Sequence, residues 1–202
     1  MSPERFKAVL DEMVIFAIRV QEQAGIDAIS DGEWRRTQYI GEFLKRIGGF
    51  ERCRRYEHQG EVHLHCCHSV YKRRSDVTGN YKPILPRLAK AKVDRINLEF
   101  AYTGTGDISD LELLPAHLGV GMGVVDVRSE QLQTVEQIEA IAAAGAGVID
   151  PGRIALNPDC GFAPDAGEPP TIDEAFEKLC RLSAAAARLR QRFKPVGAPG
   201  PR

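Results

Sequence analysis

Four side chains of metal-binding type stand at the ends of strand-like segments in this 202-residue chain. His65 and Cys67 close the run that begins at Val62, Glu99 closes Arg95-Ile96-Asn97-Leu98, and Cys160 follows the run from Arg153 to Asn157. In a parallel α/β sheet or barrel all C-terminal strand ends lie on one face, so residues far apart in sequence can meet around one ion. Two thiolates, an imidazole and a carboxylate suit Zn²⁺ in a tetrahedral site. Zinc there would deprotonate a bound thiol and make it nucleophilic at neutral pH. The run His63-Leu64-His65-Cys66-Cys67-His68 is dense in ligands and leaves the choice among them open. Strand alternation puts His63, His65 and Cys67 on one face and Cys66 and His68 on the other. Against this stands the commoner fate of a lone cysteine, a small buried hydrophobe.

The elements that must position these residues alternate between helix and strand. A first helix starts at Ser2 with Pro3 in its first turn. It carries an apolar face of Val9, Leu10, Met13, Val14, Phe16, Ala17 and Val20, and Gly25 stops it. A short strand is expected at Ile26–Ile29 and a second helix over about Thr37–Ile47. Val62–His65 reads as a strand, Pro83–Lys92 as a helix, Arg95–Glu99 as a strand, and Leu118–Val127 contains another. Thr134-Val135-Glu136-Gln137 has the capping-box pattern and opens a helix through Ala144. Arg153–Asn157 is a strand. A second capping box, Thr171-Ile172-Asp173-Glu174, opens a helix with Ile172, Ala175, Phe176, Leu179, Leu182, Ala186 and Leu189 on one face. Gly119, Gly121 and Gly123 alternate along a strand, which implies close packing over its backbone.

This is the pattern of an α/β protein with parallel strands, in about five strand–helix units, short of the eight of a complete barrel. One domain over residues 1–193 is expected, followed by a loose Gly/Pro-rich tail at 194–202.

Composition narrows the function. Hydrophobic residues make up 43% and charged residues 27%, ordinary for a globular chain. Lys plus Arg is 27 against 28 Asp plus Glu, a net charge of −1, so no global basic field exists to attract nucleic acid. No apolar run approaches the roughly 20 residues of a membrane span, and Met1–Arg5 lacks the layout of a secretory signal. Five unevenly spread cysteines do not look like a disulfide framework; a cytoplasmic setting is expected. The clusters Arg52, Arg54, Arg55 and Lys72, Arg73, Arg74 read as solvated faces. Cys53 and Cys180 read as thiols without a functional part.

Taken in order, several short motifs resemble one family. Asn157-Pro158-Asp159-Cys160-Gly161 resembles the zinc-cysteine motif of cobalamin-independent methionine synthase and its relatives. Gly123-Val124-Val125-Asp126-Val127-Arg128-Ser129 resembles the strand and turn just upstream of it, and His63–Cys67 and Leu98-Glu99 resemble its other zinc-binding segments. Asp31-Gly32-Glu33-Trp34-Arg35-Arg36 resembles its early Gly-Glu loop. The resemblance implies a zinc (β/α)₈ methyltransferase that binds homocysteine thiolate and takes a methyl group from a methyltetrahydrofolate. Carried over by position, His65, Cys67, Glu99 and Cys160 are the zinc ligands. Asp31 and Glu33 belong to the substrate loop, Glu33 facing the amino group of an amino-acid thiol. Asp126 and Arg128 fall on the catalytic turn.

Two features depart from the family pattern. Only about thirty residues separate Glu33 from His65, where the family carries several strand–helix units and an Asp-Glu-Pro-type loop. An internal deletion near Gly60-Glu61 is therefore expected, together with a missing front of the domain and an open barrel that a second copy could cover. Arg128 stands where methionine synthases carry a histidine. Arginine cannot titrate near neutrality, but it can clamp a carboxylate or sulfonate. That admits another thiol, such as coenzyme M, or a simple ion pair with Asp126 or Glu130. A non-catalytic zinc-binding remnant is the third reading.

Overall fold

The computed structural model describes residues 1–32, 34, 62–70, 72–162 and 170–193. The chain divides into two compact units, Met1–Gly60 and Glu61–Arg202. The helix expected at Thr37–Ile47 lies outside the described residues.

In the first unit, helix α1 runs from Pro3 to Gln23. The Ser2 side chain caps it by accepting from the Arg5 N–H. Gly25 ends it at φ 76°, a conformation glycine takes without a Cβ penalty. No strand forms at Ile26–Ile29. The Gln21 amide instead pins Ser30 back to the helix, donating to its carbonyl at 2.9 Å and accepting from its N–H at 3.0 Å. Of the expected apolar face, Val14 is buried, while Val9 and Phe16 are exposed.

The second unit is built on four parallel strands: β1 (His63–Cys66), β2 (Arg95–Glu99), β3 (Gly119–Val125) and β4 (Ile154–Pro158), in the order β1-β2-β3-β4. About five strand–helix units were expected; the described residues hold four strands, the difference being Ile26–Ile29. Helix α2 (Leu85–Leu88) is shorter than the expected Pro83–Lys92, because the chain beyond it tightens into i→i+3 turns at Lys90 and Ala91. Helix α3 (Val135–Ala146) opens with both halves of its capping box, Thr134 and Gln137 each accepting from the other's N–H.

Helix α4 (Ile172–Arg192) has only half a box. Thr171 accepts from the Glu174 N–H, but the Glu174 carboxylate is taken by Arg73 and Lys178. Its buried face is Lys178, Leu182, Ala185 and Leu189; Ile172, expected there, is exposed. No described helix is long and apolar enough to cross a membrane.

Pleating gives the sheet two unlike faces. Ile96 and Leu98 of β2 and Val120, Met122 and Val124 of β3 are fully buried on the side where α3 and α4 pack. On the other face β3 presents Gly119, Gly121 and Gly123 before Val125 at its end. A Cβ at Gly121 would overlap the Asn97 and Asn157 side chains, and one at Gly123 would lie 2.5 Å from Asp159 Oδ1. The close packing expected of these glycines is therefore real, and its partners are polar side chains from the two neighbouring strands. Four parallel strands in sequential order form a section of a (β/α)₈ barrel, open among the described residues.

Candidate metal centre

Because all four strands run the same way, the residues just past β1, β2 and β4 share one end of the sheet. His65 follows the alternation of β1, Cys67 lies one residue past it, Glu99 is the last residue of β2, and Cys160 lies two residues past β4. A register shift between Gly123 and Val125 marks the β3–β4 pairing just before Asp159 and Cys160, the kind of irregularity that re-aims strand ends.

One ligand atom from each of His65, Cys67, Glu99 and Cys160 lies within 4.8 Å of all the others. The two sulfurs are 3.3 Å apart. The Ser69 N–H donates to Cys67 Sγ at 3.1 Å, from a backbone held at φ 66°. His65 Nε2 and Glu99 Oε1 are buried and make no hydrogen bond. Buried polar atoms without partners are rare, and two beside a pair of sulfurs leave a donor set of N, O, S and S. That set fits zinc.

Burial and mutual repulsion work against several negative charges at once in this site, a load that a bound cation would relieve. The Cys160 thiol hydrogen-bonds to Cys67, which drives the Cys67 thiol far below its ordinary value and raises that of Cys160. Burial pushes Glu99 up to about 8 and Asp159 up to about 7, although Arg128 opposes both. Cys66, on the other face of β1, is pushed up to about 11 by burial, which keeps it a thiol.

Behind the four ligands lies a dry polar network. Glu99 Oε2 accepts from Arg128 Nη2 at 3.0 Å and lies 3.2 Å from His68 Nδ1. Arg128 also donates to the Ser69 carbonyl at 2.6 Å, approaches Asp159 Oδ2 at 3.6 Å and stacks 4.9 Å from the Tyr102 ring. Tyr81 accepts from the Glu99 N–H at 2.9 Å. Asp159 takes three backbone N–H groups, from Phe100, Ala101 and Tyr102, and so staples the chain after β2 to the end of β4.

The sequence-predicted residues thus separate into groups. His65, Cys67, Glu99 and Cys160 converge. Arg128 sits behind Glu99, its side chain fully enclosed; its partners are Glu99 and Asp159 rather than the Asp126 or Glu130 expected for an ion pair. Asp126 caps its own turn, accepting from the N–H groups of Arg128 and Ser129. Asp31 is exposed in the first unit, and Glu33 lies outside the described residues. Arg73, expected on a solvated face, is enclosed against Glu174. His68, Tyr81 and Asp159 carried no assigned role in the sequence. Asp159 sits inside the Asn-Pro-Asp-Cys-Gly motif and could have been suspected from it; Tyr81 gave no signal.

The catalytic-domain model of the cobalamin-independent synthase family matches residues 53–187, two thirds of the chain. The chain belongs to this family. Every ligand and every member of the network lies inside the match, whereas Asp31 and Glu33 lie outside it. A methionine synthase of Methanothermobacter thermautotrophicus is 33% identical over 106 residues, covering 50% of this chain and 30% of that protein. A 5-methyltetrahydropteroyltriglutamate–homocysteine methyltransferase of Coxiella burnetii is 27% identical over 139 residues, covering 69% of this chain and 16% of that protein. The chain thus spans less than a third of the length of these curated relatives. The solved structure of a B12-independent methionine synthase from Shewanella sp. W3-18-1 aligns with a TM-score of 0.57 at 21% identity, covering 89% of this chain and 55% of that one. The fold is that of the synthase (β/α)₈ barrel, of which four strands lie among the described residues.

Proposed function

We propose that this synthase-family chain is a zinc-dependent S-methyltransferase, moving the methyl group of 5-methyltetrahydrofolate, as a polyglutamate, to homocysteine. The carrying observation is the convergence of His65, Cys67, Glu99 and Cys160 from three strand ends. The reaction named for its Coxiella relative, 5-methyltetrahydropteroyltriglutamate–homocysteine methyl transfer, supports this reading. Zinc held by these residues would supply the positive charge that keeps an acceptor thiol in its thiolate form at neutral pH. The rest falls to the chain. The enclosed Glu99–Arg128–Asp159 group keeps water from the back of the site and holds its charges in place, so that little reorganisation accompanies reaction. The acceptor sulfur forms its bond to the methyl carbon as the N5–methyl bond breaks, and N5 takes a proton. Asp31 and Glu33 are assigned to substrate binding, Glu33 to the amino group of homocysteine, and Asp126 to shaping the turn that carries Arg128. Free thiols at all four described cysteines suit a cytoplasmic setting.

The test is zinc per chain by elemental analysis, beside a Cys160→Ala control, followed by methionine formation from homocysteine and the methylated folate. About one zinc, lost in the control, with methionine formed, supports the reading; no zinc removes it. A second reading, a zinc-binding chain without turnover, is favoured by the short interval between Glu33 and His65, which holds no Asp-Glu-Pro loop. Zinc without methionine would select it. The coenzyme M reading needs an Arg128 that faces its substrate; Arg128 is enclosed and its Nη2 is taken by Glu99 and Ser69, though Nη1 and Nε make no hydrogen bond, so a panel of thiol acceptors decides it.

A further inference from the structure

Glu99 is a fully enclosed carboxylate whose two oxygens have unequal surroundings. Oε2 accepts from Arg128 Nη2 and lies 3.2 Å from His68 Nδ1, a nitrogen that also lies 3.1 Å from the Tyr81 hydroxyl. Oε1 has no hydrogen bond. Both holders are themselves locked. His68 Nε2 lies 3.0 Å from the Gly79 carbonyl, and its ring meets the Tyr81 ring edge-on at 5.0 Å. Arg128 is fixed by the Ser69 carbonyl, the Tyr102 ring and Asp159. A carboxylate gripped through one oxygen cannot rotate to present the other, and a guanidinium that never loses its charge offsets part of the negative charge of two thiolates and a carboxylate.

We propose that Arg128 and His68 are positioning residues that hold Glu99 by Oε2, so that Glu99 ligates the metal through Oε1 alone. The inference rests on the zinc reading above. It gives Arg128 a role toward the metal ligand in place of a role toward substrate, and it gives His68 a place behind the metal rather than on it. Groups that orient a ligand from behind commonly set metal affinity by about 10–100-fold.

The experiment measures the zinc dissociation constant by competition with a chromophoric chelator, and the visible spectrum of the Co²⁺ form. The chains compared are wild type, Arg128→Lys, His68→Gln, Glu99→Gln and the Arg128→Lys/Glu99→Gln double variant. Lysine keeps the charge but cannot meet Glu99 and Asp159 from two nitrogens at once, as Arg128 Nη2 and Nη1 do. The glutamine at 68 mimics Nε2 toward Gly79 and loses Nδ1. Weakening of about 10–100-fold in each single variant is expected, with altered Co²⁺ bands and a double variant little weaker than Glu99→Gln, since Arg128 acts through Glu99. A thermal melt confirms that each variant is folded; if Arg128→Lys does not fold, His68→Gln carries the test from the other side of Oε2. Wild-type affinity and spectra in the folded variants overturn the inference alone. So do Arg128→Lys and Glu99→Gln losses that simply add. A wild-type chain that binds no zinc overturns the metal reading and this inference with it.

Discussion

The sulfurs of Cys67 and Cys160 stand 3.3 Å apart although 93 positions separate the two residues in the chain. Two thiols, an unpaired imidazole nitrogen and an unpaired carboxylate oxygen gain little from one another without an ion. Zinc should therefore stabilise the folded chain by mass action, about 2.7 kcal/mol at a free concentration a hundred times its Kd. Melting curves with added zinc and with excess chelator check this. A Tm several degrees higher with zinc is expected, and Cys160→Ala should abolish the difference. Equal Tm values in the wild type would contradict it.

Arg73 grips Glu174 through two hydrogen bonds of 3.0 and 2.8 Å, tying the loop after β1 to the first turn of α4. This contact, with help from Lys178, holds the Glu174 carboxyl down at about 2, against 4.5 ordinarily. Because the folded value is the lower one, the contribution is complete above about pH 4.5 and is lost as pH falls through about 2. Glu174→Gln should cost about 1–3 kcal/mol at pH 7. Urea melts of both chains should show the gap closing across that acidic window, and a gap independent of pH would refute the assignment.

Gly123→Ala sets a Cβ 2.5 Å from Asp159 Oδ1 and 2.9 Å from both the Asp159 Cα and the Leu98 carbonyl oxygen, where backbone has to move. A cost of about 1–3 kcal/mol is expected. Gly145→Ala, inside α3, meets only the flexible end of the Met122 side chain. It also gains up to about 1 kcal/mol of helix propensity. The first substitution should be the more damaging in chemical denaturation, and the reverse order would mean that the glycine face of β3 is not tightly covered.

Asp159→Asn keeps one acceptor oxygen but turns an amide toward the Tyr102 N–H and the Arg128 guanidinium, so donor meets donor. Leaving such groups buried and unpaired costs about 1–3 kcal/mol. The same variant should weaken zinc binding, since Asp159 ties the chain after Glu99 to the turn that holds Cys160. Unchanged stability and zinc affinity would make the three N–H contacts incidental.

The candidate ligands were legible in part from two local rules, and the motif resemblance chose among them. Strand alternation put His65 and Cys67 on one face, and the shared direction of parallel strands brought Glu99 and Cys160 to the same end. Thr134 and Gln137 were legible for the same reason, since a capping box is written within four residues. What was not legible depends on distant partners. Nothing near Glu174 announces that Arg73, a hundred positions earlier, will take the carboxylate that would otherwise complete the second box. Nothing near Arg128 names Glu99. Ile26–Ile29 has the composition of a strand, yet a single glutamine on the preceding helix decided its path.

The parallel order of the strands has a last consequence. Each neighbouring pair is joined by a long crossover, and the four ligands are gathered from both outer strands and one inner strand. No fragment that lacks β1 or β4 carries the whole set. On the zinc reading, high-affinity metal capture would be a late event in the life of a newly made chain, deferred until the second unit has closed. On that reading, bound metal would then serve as a certificate of completed assembly: partly folded copies would leave the ion in solution, and finished ones would keep it.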